Sequence, residues 1–126
     1  MSFHAATSYK KIRFPSFKHP FTAILAGPSQ TGKSTFLKDF LSFKNYMIEP
    51  VPDKIVWFYG IYQKLYDEIQ DVTFVEGFPP NYMEYLGTNT LFILDDLMSE
   101  CCDNKNLTNL FTKGSHHLNL SVIFIA

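Results

Sequence analysis

Arginine is almost missing from this chain: of 126 residues only Arg13 is one. That scarcity argues against enzymes that clamp a transferred phosphoryl group with several guanidinium forks. Cysteine is nearly as rare. Cys101 and Cys102 are adjacent and poorly placed to pair with each other, which fits a reducing intracellular setting. Together with His116 and His117 they form two vicinal pairs, not the C-x₂₋₄-C and H-x₃₋₅-H spacings that wrap one zinc ion. No apolar run approaches the length of a bilayer span. Met1-Ser2-Phe3-His4-Ala5-Ala6 lacks the long apolar region of a secretory leader. The expectation is an intracellular protein with no membrane partner. The formal net charge is -1, so no global basic field advertises nucleic acid, and any polyanion contact must come from a local patch or an assembled oligomer. Neither an internal repeat nor a low-complexity tract is present.

What the chain does have is bulk. Hydrophobic residues make up 46% and aromatic ones 17%, with 13 phenylalanines, enough for the core of one sheet-based domain. Residues 1–20 read as an extended arm broken by Pro15 and Pro20, leading into a domain over 21–126. Lys10, Lys11, Arg13 and Lys18 interleave with Phe14 and Phe17 in that arm. The pattern could grip a nucleic acid; the plainer reading packs the phenylalanines on a sheet edge.

The chain is organised around Gly27-Pro28-Ser29-Gln30-Thr31-Gly32-Lys33-Ser34-Thr35, a G-x-x-x-x-G-K-S phosphate-binding pattern. Phe21 to Ala26 before it suits a buried strand. Ser34 to Phe43 after it carries Phe36, Leu37, Phe40, Leu41 and Phe43 at helical spacing. Glycines let successive N–H groups turn toward one anion, and the helix N-terminus adds partial positive charge. Lys33 is expected to reach the β- and γ-phosphates of ATP and Ser34 to ligate Mg²⁺.

Downstream, Pro50 and Pro52 mark Asn45–Asp53 as a loop. Lys54–Tyr59 reads as a second strand, Gln63–Ile69 as a short helix and Val72–Glu76 as a third strand. Asn81 is placed to cap a turn through Tyr82, Met83 and Leu86. Tyr59, Tyr62 and Tyr66 could stack on adenine, line a DNA path, or form a core-and-rim aromatic cluster. Leu91-Phe92-Ile93-Leu94 then runs into Asp95 and Asp96, as a central parallel strand does when it ends at the carboxyl edge of a sheet. Asp95 is expected on Mg²⁺ and Asp96 on the attacking water. Leu107–Lys113 reads as a helix stopped by Gly114, and Leu118–Ala126 as a last buried strand. Strands alternating with helical segments predict an α/β fold with a parallel sheet. The chain stops where a central strand should end, so the core is expected to be C-terminally incomplete.

Gly27–Thr35, Leu91–Asp96 and Phe111–Ile125, with its Lys113-Gly114-Ser115-His116-His117 segment, together resemble the poxvirus-type DNA-packaging ATPases of the FtsK–HerA superfamily. Relatives of that family are carried by Maverick/Polinton elements and virophages. The resemblance runs from about Phe21 to the final residue. It implies a phosphate-loop NTPase of the additional-strand, RecA/FtsK-like kind, a three-layer sandwich with a mostly parallel sheet. It further implies a homo-oligomeric ring that hydrolyses ATP to move double-stranded DNA. Gly27, Gly32, Lys33, Ser34 and Thr35 would bind the triphosphate and Mg²⁺; Asp95 would be the metal-side acid and Asp96 the catalytic acid. Relatives often carry Glu where Asp96 stands, and a polar sensor just beyond the last strand, where this chain has ended. Lys113 sits where relatives can carry arginine and is a candidate trans-acting finger, against the ordinary reading of a lysine favoured by a helix C-terminus.

Two other functions compete. A small-molecule phosphate-loop kinase fits the loop but not the arginine scarcity. A nucleotide-binding interaction module without turnover fits an incomplete core.

Overall fold

The computed structural model describes residues 16–27, 30–97 and 118–126; the side chains of Gln30 and Thr31 are not described. Its centre is a five-stranded sheet whose neighbouring pairs are all parallel. The strands are β2 (Thr22–Leu25), β4 (Lys54–Tyr59), β5 (Thr73–Glu76), β6 (Thr90–Asp95) and β7 (Leu120–Ile125). Across the sheet they lie in the order β2-β7-β6-β4-β5. The α/β class with a parallel sheet is therefore as the sequence predicts.

Why these segments become central strands follows from their composition. All six residues of β6 and of β7 are buried, as are the four at the middle of β4. A strand covered on both faces needs an unbroken apolar run, and each has one. Alternation then divides the side chains into two cores. Ile55, Trp57, Leu91, Ile93, Ile123 and Ile125 face one way, with Leu37, Phe40 and Leu41 of helix α1 (Gln30–Ser42) packed on them. Val56, Phe58, Phe92, Leu94, Val122 and Phe124 face the other way, against Phe78, Tyr82, Tyr85 and Leu86. Each fully buried large side chain contributes roughly 1.5–3 kcal/mol relative to exposure.

The differences from the sequence reading lie at the margins. β2, expected to be buried, is an edge strand with Thr22 and Ile24 exposed, because β7 covers only one of its sides in the sheet. Asn45–Asp53 is not all loop: α2 (Lys44–Met47) and the short strand β3 (Ile48–Glu49) precede its second proline. β3 pairs in parallel with β1 (Phe17–Lys18), the described end of the arm. Phe17 packs on Phe21 and Phe40, with ring centroids 5.0 and 5.7 Å apart, so this phenylalanine does sit at the sheet edge. The expected helix after β4 is a 3-10 turn, Lys64–Glu68. Asn81 precedes the 3-10 turn Tyr82–Tyr85 but makes no side-chain cap; its amide donates to the Glu84 carboxylate instead. Phe36, expected on the buried face of α1, is 54% exposed and stacks on Phe40 beside the sheet-edge strand β2.

Candidate site at the carboxyl edge of the sheet

The strand ends fall in one register row. Leu25 aligns with Ile125, Ile125 with Asp95, Asp95 with Tyr59, and Tyr59 with Glu76. The residues that the sequence assigned to phosphate and Mg²⁺ and that lie within the described residues are attached to this edge or to the helix that starts above it.

α1 begins at Gln30, so Lys33 and Ser34 fall in its first turns. Lys33, Leu37 and Leu41 are four apart and share one face, which buries the base of the lysine along with the leucines. The Lys33 ammonium donates to the Gly27 carbonyl at 2.5 Å and also to the Ala126 carbonyl. Ala126 in turn donates its N–H to the Leu25 carbonyl at 3.0 Å. The lysine thus ties the end of β2 to the end of β7. A Cβ on Gly27 would meet Lys33 Cδ at 3.8 Å, ordinary contact. Packing within the protein does not demand glycine there, whereas close approach of a ligand to the backbone would.

Ser34 is fully buried and its Oγ has no hydrogen-bond partner among the described residues. Buried hydroxyls are normally satisfied, and one left open costs about 1–3 kcal/mol. An oxygen of this kind at a helix start suits a hard cation that takes oxygen ligands. Among the described residues no three His, Cys, Asp or Glu side chains cluster to hold a metal ion. That excludes a cage of such side chains there, but not the Mg²⁺ mode, in which one carboxylate and a hydroxyl are completed by water and phosphate.

Asp95 is 1% exposed and points to the α1 side of the sheet, sharing parity with Leu91 and Ile93. Its Oδ2 accepts from Trp57 Nε1 at 3.2 Å and from the Tyr66 hydroxyl at 2.5 Å. Burial, and then the hydrogen bond to Asp95, push the Tyr66 phenol well above its ordinary range, so it stays a donor. Asp96, by contrast, is exposed and adopts φ 58, a left-handed conformation that aspartate tolerates. Its N–H donates to the Ile125 carbonyl at 3.1 Å. The two neighbouring acids therefore have opposite surroundings, one enclosed and hydrogen-bonded, one open to solvent.

The tyrosines form a graded cluster: Tyr66 buried, Tyr59 half-buried, Tyr62 exposed, with centroids 5.3–5.7 Å apart. That is the core-and-rim arrangement, with one addition that sequence reasoning missed: the Tyr66 hydroxyl serves Asp95. Parity could have found it. A carboxylate on the buried face of a central strand needs donors, and Trp57 on the adjoining strand and the nearby tyrosines were the donors at hand.

Gly32 and Thr35 lie within α1, and the backbone of Gln30 and Thr31 forms its first turn. Pro28 and Ser29 of the loop lie outside the described residues. So do Cys101, Cys102, the segment Leu107–Lys113 with its candidate finger Lys113, and His116 and His117. Among the described residues no helix is long and apolar enough to cross a membrane. The fold and the edge define an α/β protein with a parallel five-strand sheet and a candidate site at its carboxyl end. No family model, curated protein or solved structure matches the chain.

Proposed function

We propose that the chain binds and hydrolyses ATP as a phosphate-loop ATPase of the additional-strand kind, and that it works on double-stranded DNA as part of a translocating, packaging-type motor. The observation that carries the nucleotide site is the buried Ser34 hydroxyl without a partner among the described residues, directly after Lys33, at the start of a helix that follows G-x-x-x-x-G-K-S. The strand order supports the finer architecture. β7 lies between β2, which leads into the loop, and β6, which ends in the acids; an inserted strand at this place is what the additional-strand reading requires. The DNA-moving role rests on the sequence resemblance, which covers the loop, the acidic strand and the segment from Phe111 to Ile125.

Each residue then has a task. Main-chain N–H groups at the start of α1 face the triphosphate with the positive end of the helix dipole. Lys33 exchanges two main-chain oxygens for phosphate oxygens, with which its ammonium makes charge-assisted hydrogen bonds. Ser34 Oγ and the Asp95 carboxylate would hold Mg²⁺, which when bound neutralises charge on the phosphate oxygens. Asp96, open to solvent, orients the attacking water and accepts its proton. Lys113 remains a candidate trans-acting finger in a ring, on the resemblance alone, beside its ordinary reading as a lysine at a helix C-terminus.

The test is ATP turnover by the purified chain with Mg²⁺, with and without double-stranded DNA. DNA-stimulated hydrolysis that disappears in Lys33→Ala supports the motor. Nucleotide binding without turnover under either condition favours an interaction module, and no binding at all overturns the nucleotide site.

A further inference from the structure

We infer that Tyr66 and Trp57 are positioning residues for Asp95, setting how strongly that carboxylate holds a divalent cation; the inference rests on the nucleotide site proposed above.

Both donors converge on a single oxygen. Tyr66 reaches Asp95 Oδ2 at 2.5 Å from the 3-10 turn after β4, and Trp57 reaches the same Oδ2 at 3.2 Å from within β4. Two hydrogen bonds from buried side chains restrain rotation of the carboxylate. Their effect on a cation is through orientation: the carboxylate is held ready in one rotamer, which outweighs the charge drawn from Oδ2. Outer hydrogen bonds of this kind typically change metal affinity or activity by about 10–100-fold when removed.

The rings that carry the donors are themselves fixed. Tyr66 stacks on Phe74 of β5 at 4.7 Å and 19° and packs against Trp57 at 5.1 Å. Trp57 also contacts Phe74 at 5.5 Å and is fully buried. Filling apolar space would not need a hydroxyl: phenylalanine would serve at position 66. The polar atoms are accounted for by what they hold. The turn that carries Tyr66 is also bound to α1, because Lys38 of the helix pairs with Glu68 of the turn at 2.7 Å. The helix that bears Ser34 and the turn that orients Asp95 are thus joined by an ion pair.

Trp57 is the chain's only tryptophan, so its emission reports on the Asp95 carboxylate directly. The test compares wild type with Tyr66→Phe, which keeps the ring and removes only the hydroxyl. Three quantities are read: tryptophan emission during a Mg²⁺ titration at saturating ADP, the Mg²⁺ concentration at half-maximal effect, and ADP affinity in EDTA. The expected result is an emission change in wild type, a Mg²⁺ half-point raised about tenfold in Tyr66→Phe, and an unchanged affinity for metal-free ADP. A merely structural role would lower the melting temperature and leave the Mg²⁺ half-point alone; a half-point within twofold of wild type overturns the inference. If Tyr66→Phe does not fold, Trp57→Phe titrated by calorimetry must show the same rise, and an unchanged value again overturns it. Should wild type bind ADP in EDTA but show no Mg²⁺ effect, the inference fails and the nucleotide site stands. Should it bind no nucleotide, both fall.

Discussion

Lys33 and Gly27 close the phosphate-binding pattern on itself: the ammonium at its far end donates to the carbonyl at its near end, across 2.5 Å. The second acceptor, Ala126, stands at the end of a strand that is remote in sequence but adjacent in the sheet. A lysine held by two main-chain oxygens is already stripped of much of its water and already aimed at the strand ends. Phosphate oxygens offer it the same geometry with full negative charge.

From this follows a separation of binding from stability. Lys33→Ala removes two charge-assisted donors, and charge-assisted bonds contribute about 1.5–3 kcal/mol each. Nucleotide affinity should fall by at least roughly 100-fold, on the order of 3 kcal/mol. Gly27 and Ala126 are both exposed, so water can take over their carbonyls, and unfolding stability should change by less than about 1 kcal/mol. Calorimetric ATP titration beside a urea melt checks both halves. A large stability loss would show that Lys33 is chiefly a structural tie.

Asp96 gives the cleanest test of hydrolysis. Its left-handed backbone, φ 58, is one that asparagine also tolerates, so Asp96→Asn should fold and bind nucleotide as wild type does. Turnover should drop by about 10²–10⁴-fold, the usual weight of a positioned acid–base group. Asp96→Val is the contrasting variant: a β-branched residue there should destabilise the fold before chemistry is reached. Steady-state hydrolysis and thermal melts distinguish the two. Full turnover in Asp96→Asn would remove Asp96 from the mechanism.

How far the sequence alone reached is visible in these same residues. Asp95 and the buried strands were legible because a doubly covered parallel strand must be an unbroken apolar run, and the run stops at the carboxylates. The helix after the loop was legible through Leu37, Phe40 and Leu41. Its Phe36 was misread, because spacing alone does not say where the apolar stripe ends, and β2 lies at the edge of the sheet. The pairing of β1 with β3 was hidden, since two-residue strands carry no periodicity and Pro50 spoke for a loop. Least legible was the Tyr66–Asp95 hydrogen bond. It joins residues 29 positions apart, through a register that only the folded sheet supplies.

His19 predicts a pH dependence unconnected with the nucleotide. It is buried at the other end of the sheet, with Nδ1 2.6 Å from Ser121 Oγ, which also accepts the Phe21 N–H at 2.9 Å. Burial lowers the His19 pKa, while the Asn119 main chain and the Asp53 charge pull more weakly the other way. Nε2 has no hydrogen-bond partner of good geometry among the described residues. The folded state therefore prefers the neutral ring. Above the ordinary value of 6.5 both states are neutral and stability is undiminished. As pH falls below 6.5 the unfolded chain takes up the proton first, and stability declines until the lowered folded value is passed. Melting temperatures between pH 7.5 and 5.5 should fall for wild type and fall less for His19→Gln. Equal slopes would show that other groups control the acid limb.

Ser34 carries the prediction with the most to decide, because its two effects have opposite signs. In the protein alone its buried Oγ has no partner among the described residues, so Ser34→Ala removes a desolvated hydroxyl and leaves a methyl group in an enclosed position. The unliganded protein should be as stable as wild type or more so, by up to about 1 kcal/mol, or about 4 °C in melting temperature for a domain of this size. With ATP and Mg²⁺ the order should reverse, since the variant lacks the oxygen that would ligate the cation. Wild type should then gain melting temperature through ligand linkage, and Ser34→Ala should gain much less. A packing serine would behave otherwise, losing stability in both conditions or in neither. Scanning both proteins with and without Mg·ATP separates the alternatives. A gain from Mg·ATP in Ser34→Ala equal to that of wild type would mean that the open hydroxyl is only a tolerated flaw in the core.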